Sequence, residues 1–394
     1  MAKSVETQVH LAYEYIKKRV FNPTTRLIYD HSHACDMVHF PTAEEVAAIY
    51  PNPCGYAVGM EDGMINGGTM VDACLFRYEK TADDGAVDFA RLLVSGMLDC
   101  VACAKSEGFV PRGVTPTDGK SYYPDSSIDQ YTMFVFGMVR FFESGFATDQ
   151  EKERIKNTLV SVARRAEKNP LKENDYDLLR DDGGKSIVSR IWGEKRGNHE
   201  MLRLPMIFAA AYGVSADIRW LSKYEAIIDE GIERSLPMTE YFHLYALQQM
   251  QASIYVCKKY DPDEKRCKKL GDIANAVADY AESNVPAVFY QLRAHINYNA
   301  PYKPFRECGK DISGAGRFAD VGFPDAFKPE RGDEHEFFVL QDAANVGIVI
   351  SFADVRKPSD DAKALFAEAF DIIDFNKHER CVPVHFLDGY YRTL

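Results

Sequence analysis

Two kinds of hydrophobic pattern alternate along this chain. Helical periods recur from end to end, whereas alternating strand patterns joined by hairpin turns are not evident. In one kind of segment, apolar or small residues occupy nearly every face, which indicates a helix buried on all sides. In the other kind one face is charged, as in QEKERIKNTLVSVARRAEK, which is typical of a helix that covers the outside. The sequence therefore predicts an all-α fold built from inner and outer helices.

The two kinds of helix follow one another in order. The predicted inner helices begin near residues 62, 127, 198, 240 and 336. The predicted outer helices cover residues 83–106, 149–168, 217–235, 264–283 and 361–374. They are preceded by an amino-terminal helix and a short helical segment, over residues 5–20 and 43–49.

The connections between these helices are of two lengths. Links from an inner helix to the next outer helix are short, whereas most links back to an inner helix are long, in residues 107–125, 169–197 and 285–335. Elaborate loops carry function more often than tight turns do. We therefore expect helical hairpins with their long loops on one rim, and the functional site on that rim.

Residues 122–142, YYPDSSIDQYTMFVFGMVRFF, form the most informative stretch. Its polar beginning contains good N-cap residues, and the helix that follows is apolar on almost every side. Asp129 falls in the first helical turn, where the helix dipole favours a negative charge. A carboxylate at this position is either a cap or a catalytic group.

Composition describes an ordinary globular protein. The 394 residues could form two or three domains or one large repeat-like domain, and 46% of them are hydrophobic. A formal net charge of -12 without a long Lys/Arg run argues against nucleic acid or an anionic membrane as a partner. No stretch stays apolar for the roughly eighteen residues that a membrane span requires.

The amino end and the cysteines bear on location and cofactors. The first twenty residues read as an amphipathic helix and not as a signal peptide, so we expect a cytoplasmic protein, or a periplasmic one if a leader was removed. Nine scattered cysteines predict free thiols in a reducing compartment, and the single C-x-x-C pair, Cys100 and Cys103, suits a helix core. Zinc spacing and nucleotide fingerprints are not evident, so we expect no metal and no cofactor.

Residues on the predicted rim have the chemistry of a sugar site. Cleavage of a glycosidic bond needs one acid to protonate the departing oxygen and a second carboxylate to activate water or attack the anomeric carbon. Sugar rings stack on aromatic faces, and arginine binds planar carboxylates. Carboxylates, aromatics and arginines dominate this rim, which favours an oligosaccharide ligand, with an acidic sugar fitting best.

Asp62 and Asp129 are our first choice for the catalytic pair, because each opens an inner helix and the two helices belong to consecutive hairpins. Either aspartate could instead serve only as a helix cap. The alternative catalytic carboxylates are Glu61, Asp125 and Glu200. The residues expected to bind substrate are Tyr122, Tyr123, Trp192, Arg196, His199, Arg203, Tyr241, His243 and His335.

The helix count and two local segments suggest a family. Five inner helices, five outer helices and the amino-terminal helix approach the twelve of an (α/α)6 toroid, and EDGMINGG (residues 61–68) and PDSSIDQY (residues 124–131) open consecutive inner helices. In these features the chain resembles six-hairpin glycosidase-like proteins, nearest to the unsaturated glucuronyl and rhamnogalacturonyl hydrolases. The resemblance implies one toroidal domain over residues 1–394 and a cofactor-independent glycoside hydrolase. It gives Asp129 the role of protonating the vinyl ether and activating water, with Asp62 in support.

Other functions remain open on the same scaffold. The enzyme could hydrolyse an ordinary glycoside by inversion. Polysaccharide lyases and sugar epimerases abstract a proton and use His, Tyr or Arg, so His199, Tyr241, His243 and His335 would then matter more. A third alternative is a toroid that binds sugar without catalysis.

Overall fold

The computed structural model describes residues 4–238, 242–311, 315–353 and 357–393. Helices predominate, so the all-α prediction is confirmed. Two small antiparallel strand pairs accompany the helices within the described residues. They are β1 (Phe21–Asn22) with β2 (Leu27–Ile28), and β3 (Gly309–Asp311) with β4 (Lys328–Glu330).

Six helices, called the inner helices below, form the centre of the molecule. They are α3 (Gly63–Thr81), α5 (Ile128–Glu143), α7 (Arg203–Ser215), α10 (Leu244–Tyr260), α14 (Glu334–Ser351) and α16 (Pro383–Thr393). Each packs against the next in this order, and α16 packs against α3, so their contacts form a closed cycle. Burial on nearly every face explains why their sequences carry so few charges.

The remaining helices lie around the inner ones. They are α1 (Val5–Tyr15), α2 (Ala43–Ala47), α4 (Asp84–Ala102), α6 (Asp149–Lys168), α8 (Ile218–Glu225), α9 (Ile228–Arg234), α11 (Glu264–Ser283), α12 (Val285–Leu292), α13 (Ala315–Ala319) and α15 (Asp360–Asp371). Helix α4 packs on α3 and α5, α6 on α5 and α7, α8 on α7, α11 on α10 and α14, and α15 on α14. The first helix, α1, packs on the last, α16, so the two chain ends meet in one helical pair.

The structure corrects four of the helix predictions. Helix α16 was not predicted, because its His, Asp and Arg side chains are buried among polar partners and hide the apolar pattern. The outer helix predicted over residues 217–235 is divided into α8 and α9. The inner helix predicted from residue 198 begins at Arg203, after a single 3-10 turn, and α12 lies where a long loop was expected.

Helices α3 and α5 cross where both carry glycine. A Cβ atom on Gly68 would lie 2.2 Å from the carbonyl oxygen of Met133, and one on Gly137 would lie 2.8 Å from Cα of Gly68. A side chain at this crossing would push the two backbones apart. The close approach therefore depends on Gly68 and Gly137, and it sets the spacing between the two helices that begin at Asp62 and Ser127.

The interior of the cycle is filled near the carboxyl ends of the inner helices. Arg140 from α5 and Arg392 from α16 both bind the fully buried Asp72 of α3. The rings of Phe136 and Phe352, from opposite sides of the cycle, lie 5.9 Å apart. These contacts close the cycle at that end.

None of the helices in the described ranges combines the length and hydropathy that a bilayer crossing requires. All nine cysteines fall within the described residues, and each is a free thiol. Cys100 is buried near the end of α4 and Cys103 caps that helix, in agreement with the expected role in the helix core.

Candidate functional site

A cavity of about 210 Å³ lies at the amino ends of the inner helices. Its acidic residues are Asp30, Glu61, Asp62, Asp129 and Glu334. Its basic residues are Arg112, Lys328, Arg331 and Arg380. Its aromatic residues are Tyr56, Tyr245, Phe337 and Phe338. Asp62 and Asp129 therefore line one cavity, together with the alternative carboxylate Glu61.

Asp62 occupies the N-cap position of α3 without capping the helix through its side chain. The buried carboxylate of Asp30 instead accepts hydrogen bonds from the backbone N–H groups of Glu61, at 2.8 Å, and Asp62, at 3.2 Å. The N2 donor that an N-cap side chain would normally take, the backbone N–H of Met64, is accepted by Gln130, so the carboxylate of Asp62 is left to face the cavity.

Gln130 links the start of α3 to the first turn of α5. Its side-chain Nε2 donates to Oδ1 of Asp62 at 2.9 Å and to the carbonyl oxygen of Glu61 at 2.8 Å, while its Oε1 accepts from the backbone N–H of Met64 at 3.2 Å. Gln130 is fully buried and follows Asp129 directly in the chain. Gln130 therefore fixes the position of Asp62 relative to the first turn of α5, which carries Asp129.

The environment of Asp62 favours its protonated form. The Asp62 side chain is 33% exposed within the cavity, yet the protein packed around its carboxyl group desolvates it and raises its pKa to about 6, and the negative charges of Glu61 and Asp129 act in the same direction. Arg112, with its guanidinium 3.8 Å from Oδ1, and the hydrogen bond from Gln130 oppose that rise. A carboxyl group with this pKa can give or take a proton near neutral pH.

Asp129 has a different environment. Ser127, and not Asp129, caps α5, since the Ser127 hydroxyl accepts the backbone N–H of Gln130 at 3.4 Å. The Asp129 carboxylate forms an ion pair with Arg203, the first residue of α7. The Arg203 side chain is only 1% exposed, whereas that of Asp129 is 30% exposed and faces the cavity. A buried guanidinium therefore compensates the charge of a carboxylate that substrate can reach.

The positive side of the cavity is made by arginines from three loops. Arg112 donates to the carbonyl oxygen of Glu61 at 3.1 Å and to the Tyr56 hydroxyl at 3.0 Å. Arg331 lies 4.3 Å from the ring of Tyr302, and its buried Nε and Nη1 have no hydrogen-bond partner among the described residues. The Arg331 side chain is only 1% exposed, and its Nη2 lies 3.5 Å from Asp333, so it contributes mainly its positive charge to the cavity.

Several lining residues were not predicted from the sequence. They are Asp30, Tyr56, Tyr245, Lys328, Arg331, Phe337, Phe338, Gln341 and Arg380. Four of them lie near the amino ends of inner helices: Tyr245, Phe337, Phe338 and Gln341. A polar or aromatic residue near the start of a predicted inner helix could therefore have identified them from the sequence. The others come from loops whose path the sequence does not disclose.

The structure does not bring the other two alternative carboxylates to the cavity. Asp125 is fully buried beside Cys54, whose Sγ donates to it at 3.4 Å. The Glu200 carboxylate accepts the backbone N–H of Gly197 at 3.1 Å and forms an ion pair with Arg196 at 3.1 Å. Both carboxylates serve local structure, which their sequence positions in long loops did not reveal.

The aromatic residues that we expected to stack on sugar also lie outside the cavity. The Tyr122 hydroxyl donates to Asp181 at 2.6 Å, and the buried Tyr123 donates to the carbonyl oxygen of Tyr50 at 2.5 Å. Trp192 is buried in the hydrophobic core. The aromatic side chains that line the cavity from inner helices are Tyr245 of α10 and Phe337 and Phe338 of α14.

Arg196, His199 and Arg203 lie behind Asp129 and do not line the cavity. Arg203 pairs with Asp129, and the ring of His199 packs on Phe242 at 4.4 Å. Burial, with help from Arg203, lowers the pKa of His199 to about 3, so this imidazole is neutral. These residues support the site from outside the cavity.

Of the three remaining residues that the sequence predicted to bind substrate, two lie at the amino ends of inner helices. His243 is the N-cap residue of α10, and its Nδ1 lies 3.0 Å from the buried carboxylate of Asp342, which raises its pKa. His335 is exposed in the first turn of α14. Tyr241 lies outside the described residues.

Within the described ranges, no group of three or more His, Cys, Asp or Glu side chains is arranged to hold a metal ion. No protein-family model and no curated protein matches this chain.

Proposed function

We propose that the protein is a glycoside hydrolase that acts on an acidic oligosaccharide, and that its helices form an (α/α)6 toroid. Six inner helices in a closed cycle, each with an outer helix packed against it, support the toroid. In this arrangement α16 and α1 are the sixth pair. The cavity at the amino ends of the inner helices is then the catalytic funnel.

The observation that carries the proposal is the contrast between two carboxylates in one cavity. Asp62 has a pKa raised to about 6, whereas Asp129 is ion-paired with Arg203. Enzymes that cleave glycosides need one carboxyl group that holds a proton and another that stays charged. Asp62 and Asp129 meet these two requirements.

This contrast assigns the catalytic roles. Asp62 donates its proton to the departing glycosidic oxygen while the C–O bond breaks, and the Asp129 carboxylate activates water or attacks the anomeric carbon. The assignment reverses the roles that the family resemblance implies. For a 4,5-unsaturated uronide, Asp62 would protonate the vinyl ether, and water would add to the carbon that becomes electron-deficient.

An acidic sugar is favoured by the arginines and Lys328 that line the cavity. Positive charge attracts carboxylates, and Arg112, Arg331 and Arg380 place three guanidinium groups around one cavity. The rings of Tyr245 and Phe338, tilted by 25° with centroids 5.7 Å apart, offer an apolar face for the sugar ring. We expect Arg331→Met to raise KM for acidic substrates about 10-fold or more and to change KM for neutral ones little.

The test is an assay of the full chain with 4,5-unsaturated uronyl disaccharides and with p-nitrophenyl glycosides of uronic and neutral sugars. We expect turnover of an acidic member, and a loss of about 100-fold or more in Asp62→Asn and in Asp129→Asn. Glu200→Gln, which changes a carboxylate outside the cavity, is the control and should retain activity. Full activity in both aspartate variants would refute the assignment, and sugar binding without turnover would identify a non-catalytic toroid.

His243 favours a second candidate, a polysaccharide lyase or sugar epimerase. Its imidazole is paired with Asp342 and stacks on Phe338, with ring centroids 5.1 Å apart, so it stands beside the cavity with a raised pKa. Such a group can abstract a proton next to a carboxylate. Absorbance of unsaturated uronate would rise for a lyase and fall for an unsaturated-uronyl hydrolase.

A further inference from the structure

Three buried side chains form a hydrogen-bonded series that leads from the cavity into the interior of the cycle. Gln341 lines the cavity, about 10 Å below the start of α14 at the helical rise of about 1.5 Å per residue. Its Nε2 lies 3.0 Å from Nε2 of His385 on α16. Nδ1 of His385 lies 3.3 Å from Oδ1 of Asn345, one helical turn beyond Gln341.

The direction of these hydrogen bonds follows from the atoms involved. With Oδ1 of Asn345 turned toward the ring, as in this structure, it can only accept, so Nδ1 of His385 carries the proton. In a neutral imidazole Nε2 is then an acceptor, and it receives the N–H of the Gln341 amide. The Gln341 amide is thereby held in one orientation, with its nitrogen toward His385 and its carbonyl oxygen away from it.

Burial keeps this arrangement the same over the working pH range. His385 is fully buried, and burial lowers its pKa to about 3. The imidazole is therefore neutral at any pH where the protein functions, and the Gln341 amide keeps its orientation. The other side-chain acceptors that line the cavity are carboxylates and the hydroxyls of Tyr56, Ser127 and Tyr245, so Gln341 adds an amide acceptor whose orientation is fixed.

We propose that Gln341 is a specificity-determining residue that accepts a hydrogen bond from a hydroxyl group of the sugar held deepest in the cavity. His385 and Asn345 are positioning residues, because they act through Gln341. The inference rests on the proposed function and names a feature of its substrate, a neutral hydroxyl donor near the floor of the cavity. A sugar without that hydroxyl would leave the Gln341 oxygen unpaired, and such a loss weakens binding about 10- to 100-fold.

The kinetic test uses p-nitrophenyl glucuronide and its monodeoxy and monofluoro analogues. For the wild type, we expect one position at which deoxy and fluoro substitution both reduce kcat/KM about 10- to 100-fold, because fluorine cannot donate a hydrogen bond. Gln341→Met should reduce kcat/KM for the parent sugar to the level of that analogue and abolish the discrimination. His385→Leu, outside the cavity, should reduce the discrimination while leaving hydrolysis of the deoxy analogue near the wild-type rate.

Gln249→Met is the matched control. Gln249 is an equally buried glutamine on the neighbouring inner helix α10, and it does not line the cavity. We expect this variant to keep the full discrimination. If the fluoro analogue were processed like the parent sugar at every position, or if Gln341→Met retained the discrimination, the inference would be overturned.

A second measurement separates this inference from the proposed function. The ¹⁵N spectrum of histidine-labelled protein distinguishes a protonated from an unprotonated ring nitrogen, and Asn345→Ala or His385→Leu assigns the signal. We expect His385 to be neutral and protonated at Nδ1 across pH 5 to 8, as its pKa of about 3 requires. Protonation at Nε2 would refute the inference even for an active hydrolase, whereas the expected tautomer in a protein without glycosidase activity would count only against the proposed function.

Discussion

The amide of Gln130 donates a hydrogen bond of 2.9 Å to the Asp62 carboxylate, from a position directly after Asp129 in the chain. One buried side chain on α5 therefore orients the carboxylate that opens α3. The same amide accepts the backbone N–H of Met64, so it also completes the first turn of that helix. Gln130 therefore orients Asp62 and also opposes the rise in its pKa that burial and the charge of Glu61 cause.

We expect kcat/KM to fall as pH rises through about 6, because the proposed proton donor loses its proton there. Glu61→Gln removes a negative charge that raises the Asp62 pKa, so the falling limb should move about 1 pH unit lower. Gln130→Met removes a hydrogen bond that lowers this pKa, so the limb should move higher. The pH dependence of kcat/KM in the three proteins checks these opposite signs, and shifts in one direction would contradict the role of Asp62.

The ion pair between Asp129 and Arg203 should stabilise the fold, because it neutralises a buried guanidinium group. Asp129→Asn leaves the buried guanidinium of Arg203 without a counter-charge, so we expect the free energy of unfolding to fall by about 2 kcal/mol or more. Asp62→Asn should lower it by less, since desolvation and the charge of Glu61 already penalise the ionised carboxylate at that position. In urea unfolding, the double variant Asp129→Asn with Arg203→Met should be less destabilised than the sum of its two single variants. Strict additivity would show that the two residues do not interact.

The crossing of α3 and α5 should tolerate no side chain at Gly68. A Cβ atom there would collide with the carbonyl oxygen of Met133 at 2.2 Å, so Gly68→Ala should cost about 1 to 3 kcal/mol and shift α3 and α5 apart. Gly347→Ala on α14 is the matched control, since its Cβ would meet only Thr393 at an ordinary 3.6 Å. We expect the control to be neutral or stabilising, because alanine favours helix more than glycine does. Thermal unfolding of the two variants measures the difference.

Arg392 should be among the most important charged residues for stability. It binds both Asp72 and Asp388, which are fully buried, so Arg392→Met leaves two carboxylates short of a partner. We expect a loss of about 3 to 5 kcal/mol in urea unfolding. Arg293→Met removes an exposed ion pair with Glu368 and should cost under about 1 kcal/mol. Equal losses in the two variants would mean that burial does not decide the strength of these pairs.

The helices were predictable where their sequences follow a single pattern. The apolar run of α5 and the charged face of α6 identify an inner and an outer helix from their residues alone. Helix α16 was not predictable in this way, because Asp388, Arg392 and His385 are buried in pairs that only the tertiary structure assembles. A polar residue in a sequence does not disclose whether its partner is water or another helix.

The candidate site was predictable at the helix starts and not in the loops. Asp62 and Asp129 could be singled out because the amino end of a buried helix is a fixed point of the fold. Asp30 and Arg380 are far apart in sequence, yet both line the cavity. Trp192 was expected to bind sugar because its loop precedes an inner helix, but that loop folds back into the core.

The contact between Phe136 and Phe352 also bears on the path that substrate takes. These two rings, with centroids 5.9 Å apart, join opposite inner helices toward their carboxyl ends and occupy the centre of the cycle there. Under the proposed function, this packing disfavours a mechanism in which a sugar polymer threads through the centre of the cycle. Substrate would then enter, and product leave, by the side of the molecule on which the inner helices begin.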